Sequence, residues 1–140
     1  MKKLSCLYIS ALLIFSLVQV EAKAETNTEI IPQDQPPSIM ELAFLRSLGE
    51  TIIKAMDEKG DQQLYTSARI ERISRNIEND SFDIELRVVG YEGPINPPYK
   101  LIRITLRIPG ESNSNYEIKA YSSKFISVKE FYKLSKNTGY

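Results

Sequence analysis

The stretch FDIELRVVGYEGPINPPYKLIRITLRI, Phe82–Ile108, decides the fold. Both of its arms alternate apolar and polar residues with a period of two, the signature of a half-buried strand. Phe82, Ile84, Leu86 and Val88 fall on one face, with Asp83, Glu85 and Arg87 on the other. In the second arm Ile102, Ile104, Leu106 and Ile108 oppose Arg103, Thr105 and Arg107. Pairing Tyr91 with Tyr99 sets Phe82 opposite Ile108, Ile84 opposite Leu106, Leu86 opposite Ile104 and Val88 opposite Ile102. A slip of one residue would set apolar against polar throughout, so the register of this hairpin is strongly specified. Between the arms, Gly93 permits positive φ while Pro94, Pro97 and Pro98 fix theirs. The connection Glu92–Pro98 is read as longer than a minimal two-residue turn.

On the N-terminal side, Ser38 and Glu41 have the spacing of a capping box. Ile39, Leu42, Leu45, Leu48, Ile52 and Met56 follow at intervals of three and four, an amphipathic helix that Gly60 ends. Gly49 inside it marks a position of close packing. YTSARIERISRNI, Tyr65–Ile77, alternates and then changes phase, which places a β-bulge near Glu71 and Arg72. Beyond the hairpin, GESNSN is a turn, and Tyr116, Ile118 and Ala120 open a fourth strand. The ending SVKEFYKLSK has a second capping-box spacing, Ser127 to Glu130. It admits a short C-terminal helix, the favoured reading, or a continuing edge strand. The expected class is α+β, an N-terminal amphipathic helix packed on a four-stranded antiparallel meander, closed by that short helix. One apolar stripe and one apolar sheet face must cover each other. The layering is similar in architecture to cystatin-like and nuclear-transport-factor-like folds, an analogy that carries no activity.

The first residues, MKKLSCLYISALLIFSLVQVEAKAET, read as a secretory leader. Lys2 and Lys3 precede an apolar run from Leu4 to Val18, and Ala22-Lys23-Ala24 supplies the small residues of a cleavage site after Ala24, with Ala22 as a second choice. Cys6 lies too early in the run for lipid attachment. The expected organisation is a signal peptide over 1–24, a flexible lead-in over 25–37 and one domain over 38–140. The exported part has no stable membrane anchor in this reading; an uncleaved leader is the alternative.

Without the leader the chain has no Cys, His or Trp. Losing Lys2, Lys3 and Lys23 takes the basic residues from 18 to 15, and losing Glu21 takes the acidic residues from 18 to 17, a net charge of −2. That balance argues against nucleic acid as a partner. A cysteine-free exported domain is held by its core rather than by disulfides. Without His or Cys, the commonest general base, the thiol nucleophile and the usual zinc ligands are missing. The chain is therefore read as a non-enzyme with no cofactor and no metal. Asp57–Gln63 has oxygen donors around a glycine but lacks the spacing of a calcium loop. Asp83 and Glu85, weighed as the carboxylates of a hydrolase, face Arg107 and Thr105 and are more simply a cross-strand charge pair.

The central segment, FDIELRVVGYEGP followed by NPPY and ITLRI, resembles a family of small exported proteins of Bacillus-type Gram-positive bacteria, catalogued as a domain of unknown function. The resemblance spans about Ile39 to Tyr121, and from Ser112 onward the chain departs from the pattern. It implies export and an α+β fold, and it brings no activity. Two surfaces are candidates for binding. One is the segment of Tyr91, Glu92, Pro94, Asn96, Pro97, Pro98 and Tyr99, whose stiffness suits a presenting loop, or whose tyrosines simply close the hairpin neck. The other is the face bearing Arg87, Arg103 and Arg107, where Arg87 falls opposite Arg103. Guanidinium groups so placed suit an anionic envelope polymer or lipid headgroup, unless Asp83 and Glu85 neutralise them. The expectation is a small, monomeric or weakly associating binding module at the Gram-positive cell envelope. The alternative is an inhibitor or assembly partner that engages an extracellular protein through the loop.

Overall fold

The computed structural model describes residues 27–109 and 115–138. The leader and most of the expected GESNSN turn lie outside the described residues. The elements are β1 (Thr28–Ile30), α1 (Ile39–Ser47), α2 (Gly49–Glu58), β2 (Leu64–Asn76), β3 (Ser81–Glu92), β4 (Asn96–Ile108), β5 (Glu117–Ile126) and α3 (Val128–Ser135). The strands form one antiparallel sheet in the order β1-β2-β3-β4-β5. No helix among the described residues is long and apolar enough to cross a membrane.

The β3–β4 register is the one the alternation demands, with Phe82 opposite Ile108 and Val88 opposite Ile102. The four-stranded meander, however, is corrected to five strands. The additional strand is β1, drawn from the segment expected to be a flexible lead-in, and it pairs Thr28 with Ser74 and Ile30 with Arg72. Three exposed residues leave no alternation to read. Their pairing depends on the far half of β2, and the sequence gives no sign of that partner.

The single N-terminal helix is likewise corrected to two. Leu48, with φ −86° and ψ 0°, ends α1 and begins α2. Ser47 Oγ donates to the Phe44 carbonyl at 2.7 Å, a local bond that competes with the helical ladder just before the break. Glycine at 49 adds backbone freedom, and a Cβ there would sit 3.6 Å from the Tyr65 hydroxyl. The buried stripe starts later than the spacing suggested. Leu45, Leu48, Ile52, Ala55 and Met56 are buried, whereas Ile39 and Leu42 are exposed. Buried Glu41 is what turns inward in the first turn.

The core lies between this helix pair and one sheet face, where Leu48, Ile52 and Met56 pack on Leu86, Val88, Ile102, Ile104 and Leu106. The opposite face is not wholly solvated. Ser127 Oγ accepts from the Glu130 N–H and opens α3, and α3 lays Phe131 on Tyr99 with ring centroids 4.1 Å apart and planes within 10°. Val89 completes that small second core. β2 carries two register shifts, between Thr66 and Arg69 and between Ile70 and Arg72. Only the second coincides with the bulge expected near Glu71. At the first, Ser67 takes φ 55°, and its carbonyl accepts from Arg87.

Candidate functional site

The connection in the hairpin is shorter than the sequence suggested. β3 runs to Glu92 and β4 begins at Asn96, leaving the three-residue turn Gly93–Pro94–Ile95. Gly93 at φ 52° and Ile95 at φ 58° both occupy the left-handed region, and together they close the chain within three residues. The prolines do not prevent pairing, because β4 meets β5 only from Tyr99 onward. Pro97 and Pro98 thus sit where the strand is still an edge, the place a sheet tolerates them. The peptide bond between them is cis.

Glu92, Pro94, Asn96, Pro97 and Pro98 are all exposed, and Tyr99 is buried. Tyr99 shares a small cluster with Val89 and Phe131, and Tyr91 packs against that cluster. The Tyr99 ring stacks on Phe131, and its hydroxyl donates to the Ile95 carbonyl at 3.0 Å. The turn is therefore tied to α3 through one side chain. Ile95, absent from the sequence-based candidates, is the residue that stands out. It is a β-branched side chain at positive φ, an outlier for its type, and it presents half of its surface to solvent. Its place in the middle of a Gly/Pro/Asn segment was the available signal, since an apolar residue there has no core to enter.

The arginine face is organised differently from the expectation. Arg69, Arg87 and Arg103 stand opposite one another across β2, β3 and β4. Arg87 is buried, not solvent-facing. It donates from Nε to Gln33 Oε1, from Nη1 to the Ser67 carbonyl and from Nη2 to the Leu134 carbonyl. Burial holds its pKa below the usual arginine value, against the charge of nearby Glu71. Arg69, missed from sequence, is buried still deeper. Its guanidinium meets the Glu41 carboxylate and the carbonyls of Pro32, Gln35 and Asn137, four partners between 2.8 and 3.4 Å. The segment before α1 and the tail after α3 are thus fastened over the arginine row.

The two outer arginines are engaged by carboxylates. Arg103 donates to both oxygens of Glu71, and that hydrogen bond raises its pKa. Arg107 grips both oxygens of Asp83 at 2.7 and 2.8 Å. The bond from Arg107 is the main reason the Asp83 pKa lies below the ordinary carboxylate value. Glu85, the other carboxylate weighed for hydrolysis, pairs with Arg72.

The Asp57–Gln63 segment folds into a polar anchor. Asp61, buried, accepts from Lys100 and from the Tyr121 hydroxyl. Burial works to raise the Asp61 pKa, but the hydrogen bonds from Lys100 and Tyr121 with the Lys100 charge lower it on balance. Burial and the Asp61 contact push the Tyr121 phenol up, which makes it a poor proton donor or nucleophile. No group of three or more His, Cys, Asp or Glu suited to a metal occurs among the described residues.

A groove of about 480 Å³ lies beside the helix pair, lined by Leu42, Arg46, Ile53, Leu64, Tyr65 and Tyr91 among others. Tyr91 is the only sequence-based candidate that it includes, so the structure brings the start of the turn segment next to an apolar surface. Periodicity could not reveal it, because Leu42 belongs to the stripe assigned to the core.

No protein-family model, no curated protein and no solved structure matches the chain.

Proposed function

We propose that the protein is an exported, non-catalytic binding module that engages a protein of the Gram-positive cell envelope through the turn at Gly93–Ile95. The observation that carries this reading is Ile95, an exposed apolar residue at φ 58°, fixed by the Tyr99 hydroxyl and, through Tyr99, by α3. Backbone strain of this kind persists where the surroundings enforce it, and it is concentrated at contact sites. A turn already held in one shape loses little freedom on binding. Export and the envelope setting rest on the leader pattern and on the resemblance of the central segment. A protein partner is favoured over an anionic polymer because Arg87, Arg103 and Arg107 all have acceptors within the chain.

Co-sedimentation of the exported chain with isolated Gram-positive envelopes, at low and high salt, tests the proposal. Binding is expected to survive high salt, to vanish when the envelopes are stripped with protease, and to weaken at least tenfold in Ile95→Asp. Binding that disappears with salt and ignores Ile95→Asp would restore the anionic-polymer reading.

A further inference from the structure

We infer that the groove between the helix pair and β2 receives an extended segment of the partner protein, one that alternates apolar residues and carries an acidic side chain. The inference rests on the protein-directed reading above and names the part of the partner that is held. Three observations lead to it. First, β1 covers β2 only at Arg72–Ser74. Glu41, Gln33 and Ile31 of the same chain take the backbone groups of Ile70 and the carbonyl of Glu71, and among the described residues no strand lies on the outer side of residues 64–68. An added strand is a recurrent mode of peptide recognition at such an edge.

Second, the ground beside that edge is apolar and open. Leu64 is 63% exposed, Ile53 45% and Leu42 37%, and all three line the groove. A volume of about 480 Å³ accepts a few side chains, and in an extended segment every second side chain would point into it. Third, Arg46 is the one charged side chain in the lining. The sheet arginines Arg69, Arg87, Arg103 and Arg107 meet carboxylates, but Arg46 has no ion-pair partner among the described residues. A cation over an apolar trough matches an acidic residue beside apolar ones. That requirement separates a peptide from a plain acyl chain, and the open strand edge offers backbone pairing that an acyl chain cannot use.

Phage-displayed random nonapeptides, selected on the immobilised chain expressed with its leader and purified in its exported form, provide the test. Wild type is expected to enrich peptides that alternate apolar residues and contain Asp or Glu. Arg46→Glu is expected to switch the preference to Lys or Arg, and Leu64→Glu to weaken the selected peptides at least tenfold. Both sites are exposed, so these variants keep the fold, which a urea titration verifies. Ile95→Asp is expected to leave peptide binding unchanged, because Ile95 is outside the lining. No enrichment, or an enriched set that Arg46→Glu does not recharge, overturns the inference. So does occupation of the groove by a second copy of the chain or by a dodecyl detergent in place of the peptides. Loss of the peptides with salt-resistant envelope binding intact removes the groove and leaves the turn. Peptide binding without envelope-protein binding removes the turn and leaves the groove.

Discussion

Arg69 Nε donates to Glu41 Oε1 at 2.9 Å, and the same oxygen accepts the backbone N–H of Ile70. This contact sets the rotation of α1. It draws Glu41 inward at the helix start, where the apolar spacing would have placed Ile39 and Leu42. It also joins parts of the chain that are far apart in sequence, because the other donors of Arg69 hold the carbonyls of Pro32, Gln35 and Asn137. Replacing Arg69 by Met leaves the Glu41 carboxylate buried without its cation and the carbonyls without a donor. Breaking one side of a buried pair costs about 3–5 kcal/mol, a large part of the stability of a small domain. Urea unfolding of Arg69→Met is expected to show that loss. Ending the chain after Ser135 removes the Asn137 acceptor together with buried Thr138 and its bond to the Ser135 carbonyl, and is expected to cost less, about 1–3 kcal/mol.

Ile95 ties stability to the proposed contact in the opposite direction. Glycine accepts φ 58° without a Cβ penalty, so Ile95→Gly is expected to hold or raise stability by up to about 1 kcal/mol while weakening envelope binding. Thermal unfolding and co-sedimentation on the same preparation would show the two quantities moving apart. Tyr99→Phe keeps the stack on Phe131 and loses the bond to the Ile95 carbonyl. Its expected cost is about 0.5–1.5 kcal/mol.

Acid stability follows from Asp61 and Asp83. Both have folded pKa values below the ordinary 3.8. A carboxylate with a depressed folded pKa contributes stability that is fully present above its unfolded pKa, and that stability is lost as pH falls through the folded value. Unfolding free energies are therefore expected to be insensitive to these groups near neutrality and to fall below about pH 4. Asp61→Asn is expected to flatten that fall, as read from urea midpoints at pH 7 and pH 3. An unchanged acid limb in Asp61→Asn would show that the Lys100 and Tyr121 contacts do not matter for folding.

Gly90 tests the packing behind the groove. A Cβ at this position would collide with Gln63 Oε1, the end of a flexible side chain, and would meet Ile102 Cδ1 at 3.4 Å. That oxygen is buried without a hydrogen-bond partner in the structure, so displacing it sacrifices no bond. Alanine also restricts the unfolded chain. Gly90→Ala is expected to stay within about 1 kcal/mol of wild type and to push Gln63 toward the groove. A much larger loss would mean that the backbone at Gly90, rather than Gln63, has to move.

The sequence reached as far as local periodicity reaches. The β3–β4 register was legible because Ile84, Leu86 and Val88 and, opposite them, Leu106, Ile104 and Ile102 are all apolar, and the two capping serines were legible because their partners lie three residues away. What failed depends on residues distant along the chain. β1 is three residues with no pattern, held by a partner more than forty positions later. Arg87 looked like a surface cation on an alternating strand, yet the segment around Gln33 and the end of α3 cover it. Arg69 sits at a bulge, where alternation no longer says which way a side chain faces. In the turn, the prolines and glycine were readable, but the tightness set by Gly93 and Ile95 was not, because isoleucine gives no sign of positive φ.

The most direct test of the account is amide hydrogen exchange of the protein without residues 1–24, free and mixed with isolated envelopes. Engagement through the turn predicts slower exchange in residues 91–96 on binding, with the β4–β5 amides around Arg103 and Arg107 unchanged. Slowing confined to the strands that bear Arg103 and Arg107, with the turn unaffected, would contradict it.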